Sequence, residues 1–453
     1  MRGIAMPTWT LDWKCGPTAI ELPERNVQQI IEAPDLAPQG APVERVARAL
    51  DRPIGCPRLE EMVHPGDRVA LLVTDWHDRI VGQEGVGNYL LDRLNAVGVP
   101  DQNVTLVHAA GLHGHNGARS RLGEALLNRV RYVEHDPLDE DSLVFRGVTP
   151  VGTPVWINPV VAEADFVLGV GGCGPSLYGY QGGGGIILPG VAGADTIRRN
   201  HTMIMTTRTA SLWGPGNPQR EDVLDAADLA GLRLKIDFTA NTVFAGYQRE
   251  EWPAAVRYVQ QNFQVPTEPA DVTVFAPHGS GAELMSMYMQ IEHAELTTRP
   301  GGIIIACISA ATHEPLARRP LAETLDEFLC CTWMWSRETG DDNPRHEHWA
   351  HRDMVCKEEL LAYSFPEITK VIVRMQGEPR STTHVWSHRR CLERKRTFLV
   401  TEGVTPEEGA LMGFAFVTDS FESALARAFD ELGPDLTINA NLPPKKGVPY
   451  VDG

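Results

Sequence analysis

Long hydrophobic runs are missing from this sequence: no stretch approaches the ~20 consecutive apolar residues that a membrane helix requires. The opening residues, MRGIAMPTWTLDWKCG, have no apolar signal core, so a cytoplasmic address and no membrane partner are expected. Cysteine is scarce. The eight (15, 56, 173, 307, 330, 331, 356 and 391) include no C-x-x-C pair, which excludes a zinc knuckle and reads as reduced thiols without a disulfide framework. Positive charge is in deficit: 41 Lys and Arg against 59 Asp and Glu leave a formal net charge of −18. Such a surface repels phosphate backbones, so no nucleic-acid partner is expected. One basic run, His388-Arg389-Arg390 through Arg394-Lys395-Arg396, departs from this and reads as a solvated helix face, with an anion site as its alternative. There is no internal repeat and no low-complexity tract.

What is present is the balance of a globular protein, 43% hydrophobic and 22% charged, which excludes global disorder. At ~150 residues per domain, 453 residues suggest two or three domains. The first 60 residues, rich in Pro, Asp and Glu, read as a wrap around the core. Arg68–Thr74 is a continuous apolar run with the pattern of a buried parallel strand, and it ends in the polar Asp75-Trp76-His77-Asp78-Arg79. Residues 86–96 read as a helix, 103–109 as a strand ending in Gly111-Leu112-His113-Gly114-His115, 124–130 as a helix, and 165–170 as a strand entering a glycine-rich segment. This alternation predicts an open, mostly parallel α/β sheet, in which ligands sit beyond the carboxyl ends of the strands. Pro266-Thr267-Glu268-Pro269 reads as a linker. A second unit follows, with strands at 271–275, 302–308 and 397–401 and helices at 282–297 and 420–432. The expected architecture is therefore two α/β domains, 1–266 and 270–453, with the active site in the cleft between them and the chain end packing back on the first.

Several groups carry chemistry. Gly169-Val170-Gly171-Gly172-Cys173-Gly174 fits G-x-G-x-x-G, the dinucleotide fingerprint. Pro175 follows at once and a second run, Gly182–Gly185, comes soon after, so three readings stay open: a dinucleotide site, another phosphate-cradling loop, or a tight turn needing positive φ. His113 and His115 lie in a glycine-flanked loop at a strand's carboxyl end, a fair place for a general base. His201 is placed after a helix beginning near Ala194, where an imidazole suits a soft divalent metal. His346, His348 and His351, and the i, i+4 pair His384 and His388, lack a metal-site pattern and read as surface or supporting residues. Trp333, Trp335 and Trp349 read as packing rather than ring contacts.

Taken together, several stretches resemble the nickel-pincer lactate racemase superfamily, with similarity from about 65 to 315 and, more weakly, from about 397 to 445. They are Gly152-Thr153-Pro154-Val155 with Asn158, Glu163-Ala164-Asp165, Gly179 through Gly183, Ile187 through Val191, Thr196 through His201, Gly216-Asn217-Pro218 with Arg220 and Asp222, and Val243 through Gly246. The resemblance implies two α/β domains around a pyridinium mononucleotide that carries nickel in a sulfur–carbon–sulfur pincer, loaded by pincer-biosynthesis proteins. It also implies hydride chemistry: a histidine takes the hydroxyl proton of a 2-hydroxy acid while the pincer takes the Cα hydride and returns it to the other face. Carried over by position, His113 matches the catalytic histidine and His201 the nickel ligand. Asp75, His77 and Asp78 fall in the cofactor-contacting loop, Arg79 is placed as the carboxylate partner, and Tyr180 with Gly182, Gly183, Gly184 and Gly185 lies along the cofactor.

The departures point away from lactate. Gly174-Pro175-Ser176 stands where racemases carry a second histidine, with Tyr178, Tyr180, His115, His77 or His293 as stand-ins. Gly185 replaces the lysine that anchors the pincer, so a bound pincer would be non-covalent. The second-domain substrate motif is reduced to Met287-Tyr288-Met289-Gln290-Ile291, leaving Tyr288 and Gln290 as substrate candidates. The expectation is a racemase or epimerase of another 2-hydroxy acid. Its rivals are a one-handed, pincer-dependent oxidoreductase, a non-catalytic nucleotide-binding relative, and an ordinary NAD enzyme.

Overall fold

The structure, a computed structural model, describes residues 8–13, 16–74, 83–113, 122–206, 212–277, 284–287, 289–311, 313, 361–374, 380–443 and 447–451. The buried apolar runs become the central strands of two six-stranded sheets. In the first sheet the order is Val243–Gly246, Leu232–Phe238, Phe166–Gly172, Val69–Thr74, Val104–Ala109, Arg131–Glu134, parallel except at the Val243–Gly246 edge. Every residue of Phe166–Gly172 is buried, as an apolar strand covered on both faces should be. Arg68 pins the amino ends of the two central strands by forking onto Asp165, with both nitrogen–oxygen distances 3.1 Å, and this pairing lowers the Asp165 pKa to about 2.

Chain order sets the site. The chain runs outward from Val69–Thr74 to Val104–Ala109 and Arg131–Glu134, then returns to the other side with Phe166–Gly172 and Leu232–Phe238. The sheet therefore reverses direction between Val69–Thr74 and Phe166–Gly172, and the crevice beyond their carboxyl ends is where an open α/β sheet binds ligands.

The second sheet, Phe416–Thr418, Arg396–Val400, Thr298–Cys307, Ala270–Phe275, Ile438–Asn441, Val27–Ile30, is wholly parallel. Its last strand comes from the first 60 residues, which do more than wrap: Val27–Ile30 extends this sheet, and Pro42–Asp51 is a helix. Residues 264–269 are more than a linker. Gln264–Pro266 pairs with Val448–Tyr450, and the Thr267 N–H donates to the Tyr450 carbonyl at 2.7 Å. The helix expected over 282–297 is broken: a 3-10 turn, Leu284–Met287, precedes Gln290–Leu296, with Met289 between them at φ 60°.

The basic run is not a solvated face. The helix Arg380–Arg394 buries His388 and Arg390 and packs on Gln290–Leu296. Arg390 reaches Glu292 at 3.3 Å and Arg394 reaches Glu295 at 3.0 Å, so carboxylates of the neighbouring helix meet its charge. A continuous core joins the two sheets' units, with Leu177 and Ile204 of the first packed among Phe275, Leu284, Met287 and Trp386 of the second. Among the described residues no helix is long and apolar enough to cross a membrane.

Candidate active site

The strand Phe166–Gly172 delivers the glycine-rich segment to the crevice. Gly169 and Gly171 lie inside this strand, where a Cβ on Gly169 would meet Lys235 Cδ at 3.2 Å and one on Gly171 would meet Lys235 Nζ at 2.7 Å. These glycines admit a neighbouring side chain instead of a pyrophosphate, and no helix follows them. The dinucleotide reading is thereby corrected.

After Cys173 the chain makes a short hairpin, Pro175–Ser176 against Gly179–Tyr180, then the turn Gly183–Ile186. Glycines 182 to 184 face the protein. A Cβ on Gly182 would strike Asp237 Oδ2 at 2.8 Å, one on Gly183 the Trp252 side chain at 2.8 Å, and one on Gly184 the Val223 carbonyl at 2.7 Å. The Gly183 N–H donates to Asp237 Oδ2 at 2.6 Å, and the Gly185 N–H to the Gly182 carbonyl at 3.0 Å. These two N–H groups are satisfied within the protein, so they do not form the phosphate cradle that the sequence suggested. Gly185 is different: half-exposed, it has nothing among the described residues within 4 Å of an added Cβ except Arg220 Nη1 and Nη2, both at 3.7 Å.

The floor beneath the turn is charged and closed. Lys235 Nζ lies 2.5 Å from Asp237 Oδ1, both side chains almost fully buried. Burial, and after it the neighbouring Asp237 carboxylate, push the Glu251 pKa well up. Arg220 donates to the Gly182 carbonyl at 2.6 Å and stacks on Trp252 with its guanidinium carbon 5.0 Å from the ring centre. Burial lowers its pKa to about 10, which leaves it cationic at neutral pH.

A second set of contacts aligns the histidines. The Gly111 N–H donates to the Gly190 carbonyl at 2.9 Å, docking the 3-10 turn Gly111–His113 onto the segment after the glycine turn. The same turn touches the helix Ala194–His201. Gly111 sits at φ 54°, and a Cβ there would press on the Pro189 carbonyl at 3.1 Å. The His113 side chain lies outside the described residues. His201 is the last residue of its helix rather than a residue beyond it; it is buried, with its ring centre 4.3 Å from that of Tyr178. A helix carboxyl terminus favours positive charge, such as a cation on an imidazole.

Sequence reasoning found the Gly216–Asp222 stretch but not its task, which is to organise the whole site from one helix start. Asn217 caps the helix Pro218–Ala230, and its Nδ2 donates to the Tyr178 carbonyl at 3.1 Å. Arg220 holds Gly182. Asp222, buried, accepts from Asn200 Nδ2 at 2.8 Å, Thr149 Oγ1 at 2.5 Å and Thr153 Oγ1 at 2.9 Å, fixing the residue next to His201. Polar residues at spacings of three and two in a helix's first turns were the available signal; their partners lie up to 73 positions away.

Other candidates fall elsewhere. Tyr180 is fully buried against Trp252 and receives a hydrogen bond from Gln264 Nε2 at 2.8 Å on its hydroxyl, so it packs the core and does not line the crevice. Burial pushes its phenol pKa up, which makes it a poor stand-in for a histidine base. His293 is buried in the helix Gln290–Leu296, and His388 is buried rather than at the surface. Gln290 opens that helix, half-buried, and its neighbour Met289 packs on the same core as Tyr178. Asp75, His77, Asp78, Arg79, His115, Tyr288, His346, His348, His351, Trp333, Trp335 and Trp349, together with the His384 side chain, lie outside the described residues. Among the described residues no three His, Cys, Asp or Glu side chains converge as a metal cage.

Two doubly wound sheets, the first with its direction reversed beside a histidine-bearing turn and a histidine-ended helix, define an α/β protein with mostly parallel sheets. The lactate racemase N-terminal domain family matches residues 14–214. Lactate racemase of Thermoanaerobacterium thermosaccharolyticum is 26% identical over 310 residues, covering 65% of this chain and 72% of that protein. Lactate racemase of Lactiplantibacillus plantarum is 29% identical over 288 residues, 59% of this chain and 66% of that one. The fold matches the lactate racemase apoprotein of T. thermosaccharolyticum with a TM-score of 0.78 at 19% identity, over 99% of this chain and 100% of that one. A Thermotoga maritima protein matches at 0.55 and 16%, over 87% and 96%. By these matches the chain is similar to the lactate racemases, in sequence over residues 14–214 and in fold over nearly its whole length.

Proposed function

We propose that this chain is a racemase or epimerase of a 2-hydroxy acid other than lactate, dependent on a nickel-pincer nucleotide. The observation that carries the reading is the docking of the Gly111–His113 turn against the helix that ends at His201. It holds the backbone of His113, read here as the proton carrier, beside the helix that ends in His201, read here as the metal ligand.

When bound, the pincer supplies an acceptor and donor for the Cα hydride of the hydroxy acid. The chain's own residues do the remainder. His113 takes the hydroxyl proton, since an imidazole titrates near working pH. His201 would hold the nickel; with no cage of three donors among the described residues, one imidazole suits a metal that arrives with donors of its own. Asp75, His77 and Asp78 would lie along the cofactor. Arg79 would receive the substrate carboxylate on its planar fork. Tyr288 and Gln290 would meet the substrate from the second domain, and their departure from the family motif motivates a substrate other than lactate. The residues fit an anionic nucleotide, because the crevice wall holds the buried Arg220 cation.

The test is metal analysis with native and denaturing mass spectrometry on protein made alongside the pincer-biosynthesis proteins. Stoichiometric nickel and a nucleotide released on denaturation are expected, because Gly185 offers no amine for a covalent link. Absence of both, beside an active lactate racemase from the same host, overturns the reading. On loaded enzyme, His113→Ala should lower turnover by about 10²–10⁴-fold.

A one-handed oxidoreductase is the second reading. It is favoured by the hairpin Pro175–Tyr180, which carries Ser176 near the second histidine's place and uses its Oγ to accept the Tyr178 N–H at 3.2 Å. Formation of the mirror-image acid from one enantiomer excludes it.

A further inference from the structure

Arg220 is 5% exposed, and yet it forms no ion pair among the described residues. Its hydrogen bond goes to the uncharged Gly182 carbonyl, its face rests on Trp252, and its Nε has no hydrogen-bond partner among the described residues. A buried cation without a counter-ion is costly, and in folded proteins such charges are ordinarily paired. Asp237 and Glu221 favour the charge of Arg220 only through space, for Asp237 is held by Lys235 and by the Gly183 N–H, and Glu221 Oε1 accepts the Gly216 N–H at 3.0 Å.

The terminal nitrogens of the same guanidinium face the one glycine of the turn with open space beside it. An added Cβ on Gly185 would lie 3.7 Å from both, with nothing else within 4 Å among the described residues. Nη2 already donates to the Gly182 carbonyl, so Nη1 and the second Nη2 hydrogen are what the guanidinium can offer to an anion beside Gly185.

We infer that Arg220 and the open flank of Gly185 form an anion pocket for a carboxylate or thiocarboxylate carried on the ring of a pyridinium mononucleotide. The inference rests on the nucleotide reading above and extends it to a subsite. Gly185 stands where the family's anchoring lysine is expected. With no amine there, the ring substituent stays an acid, and Arg220 supplies the opposite charge without a covalent bond. Lys235 does not serve, because its Nζ is sealed beneath Gly171 and held by Asp237.

The test compares two probes of nearly the same shape by titration calorimetry on the full chain: nicotinic acid mononucleotide, with a ring carboxylate, and nicotinamide mononucleotide, with a neutral amide. The wild type should bind the acid about 10–100-fold more tightly, the range of one charge-assisted fork. Arg220→Gln should abolish the preference. Since Arg220 also supports the turn, Gly185→Leu is the companion variant: it leaves the cation in place, fills the space before it, and should lose the acid while keeping its melting temperature. Equal binding of the two probes by the wild type overturns the pocket but leaves a nucleotide site standing. Equal binding that both variants remove identifies the phosphate as the partner, and also overturns it. Binding of neither probe overturns the pocket and the nucleotide reading together.

Discussion

The molecule holds two buried clusters of charge that solve the same problem differently. Between the helices Gln290–Leu296 and Arg380–Arg394, cations and carboxylates are matched across the interface. Arg390 meets Glu292, Arg394 meets Glu295, the Ser387 hydroxyl donates to Glu292, and the Cys391 thiol donates to Glu295 at 3.0 Å. Beneath the Gly183–Ile186 turn, Lys235 and Asp237 are matched, but Arg220 has a carbonyl and an aromatic ring for company. The first arrangement joins two helices. The second holds backbone atoms of a turn and leaves Arg220 without an ion pair among the described residues.

The contrast is broken most strongly at Asp237. Asp237→Ala strands Lys235 in the interior and leaves the Gly183 N–H without its acceptor, so unfolding in urea should show a loss of about 3–5 kcal/mol. A loss below about 1 kcal/mol would mean that the turn does not depend on its floor.

Acid should act on the crevice side next. His135 is buried, with Nε2 2.9 Å from the Ala192 carbonyl and Nδ1 3.3 Å from Asn158 Nδ2, and burial holds its pKa down at about 4. The unfolded chain takes up this proton near pH 6.5. Stability is therefore complete above pH 6.5 and falls as pH drops towards 4, by on the order of 3 kcal/mol. A variant His135→Asn that keeps the same slope over this window would assign the acid sensitivity elsewhere.

The helix pair sharpens the comparison at smaller cost. Glu292→Gln keeps the shape but weakens charge-assisted bonds to Arg390 and Ser387, so about 1.5–3 kcal/mol is expected in thermal unfolding. Arg394→Ala removes a pair whose arginine side chain is 59% exposed, and the cost should stay below about 1 kcal/mol. If Arg394→Ala cost as much as Glu292→Gln, exposure would not be grading these pairs.

Much of the fold was legible because parallel strands buried on both faces are written as continuous apolar runs. Residues 68–74, 103–109, 165–170 and 397–401 each lie within a residue or two of the observed strand. Helix Phe421–Leu432 begins where Ser420 offers its hydroxyl as a cap. The break at Met289 was hidden, since no glycine or proline announces its positive φ. The basic run misled for a related reason: acidic partners at 292 and 295 lie about a hundred positions earlier, beyond the reach of local patterning. At the site, ordered motifs singled out His113 and His201 as candidates, but the glycines looked alike. Three face the protein, while the fourth meets only Arg220 among the described residues, and only their packing separates them.

By itself, then, the sequence determined the α/β class, the central strands and the likeness to lactate racemases, because these depend on local periodicity and on short motifs in chain order. Tertiary structure alone decided that Val27–Ile30 completes the second sheet, that Tyr180 packs a core, and that Arg220 lies beside Gly185 with no ion pair among the described residues. Each of these is a meeting of residues distant in the chain, and whether a buried charge is matched depends on every neighbour the fold brings to it.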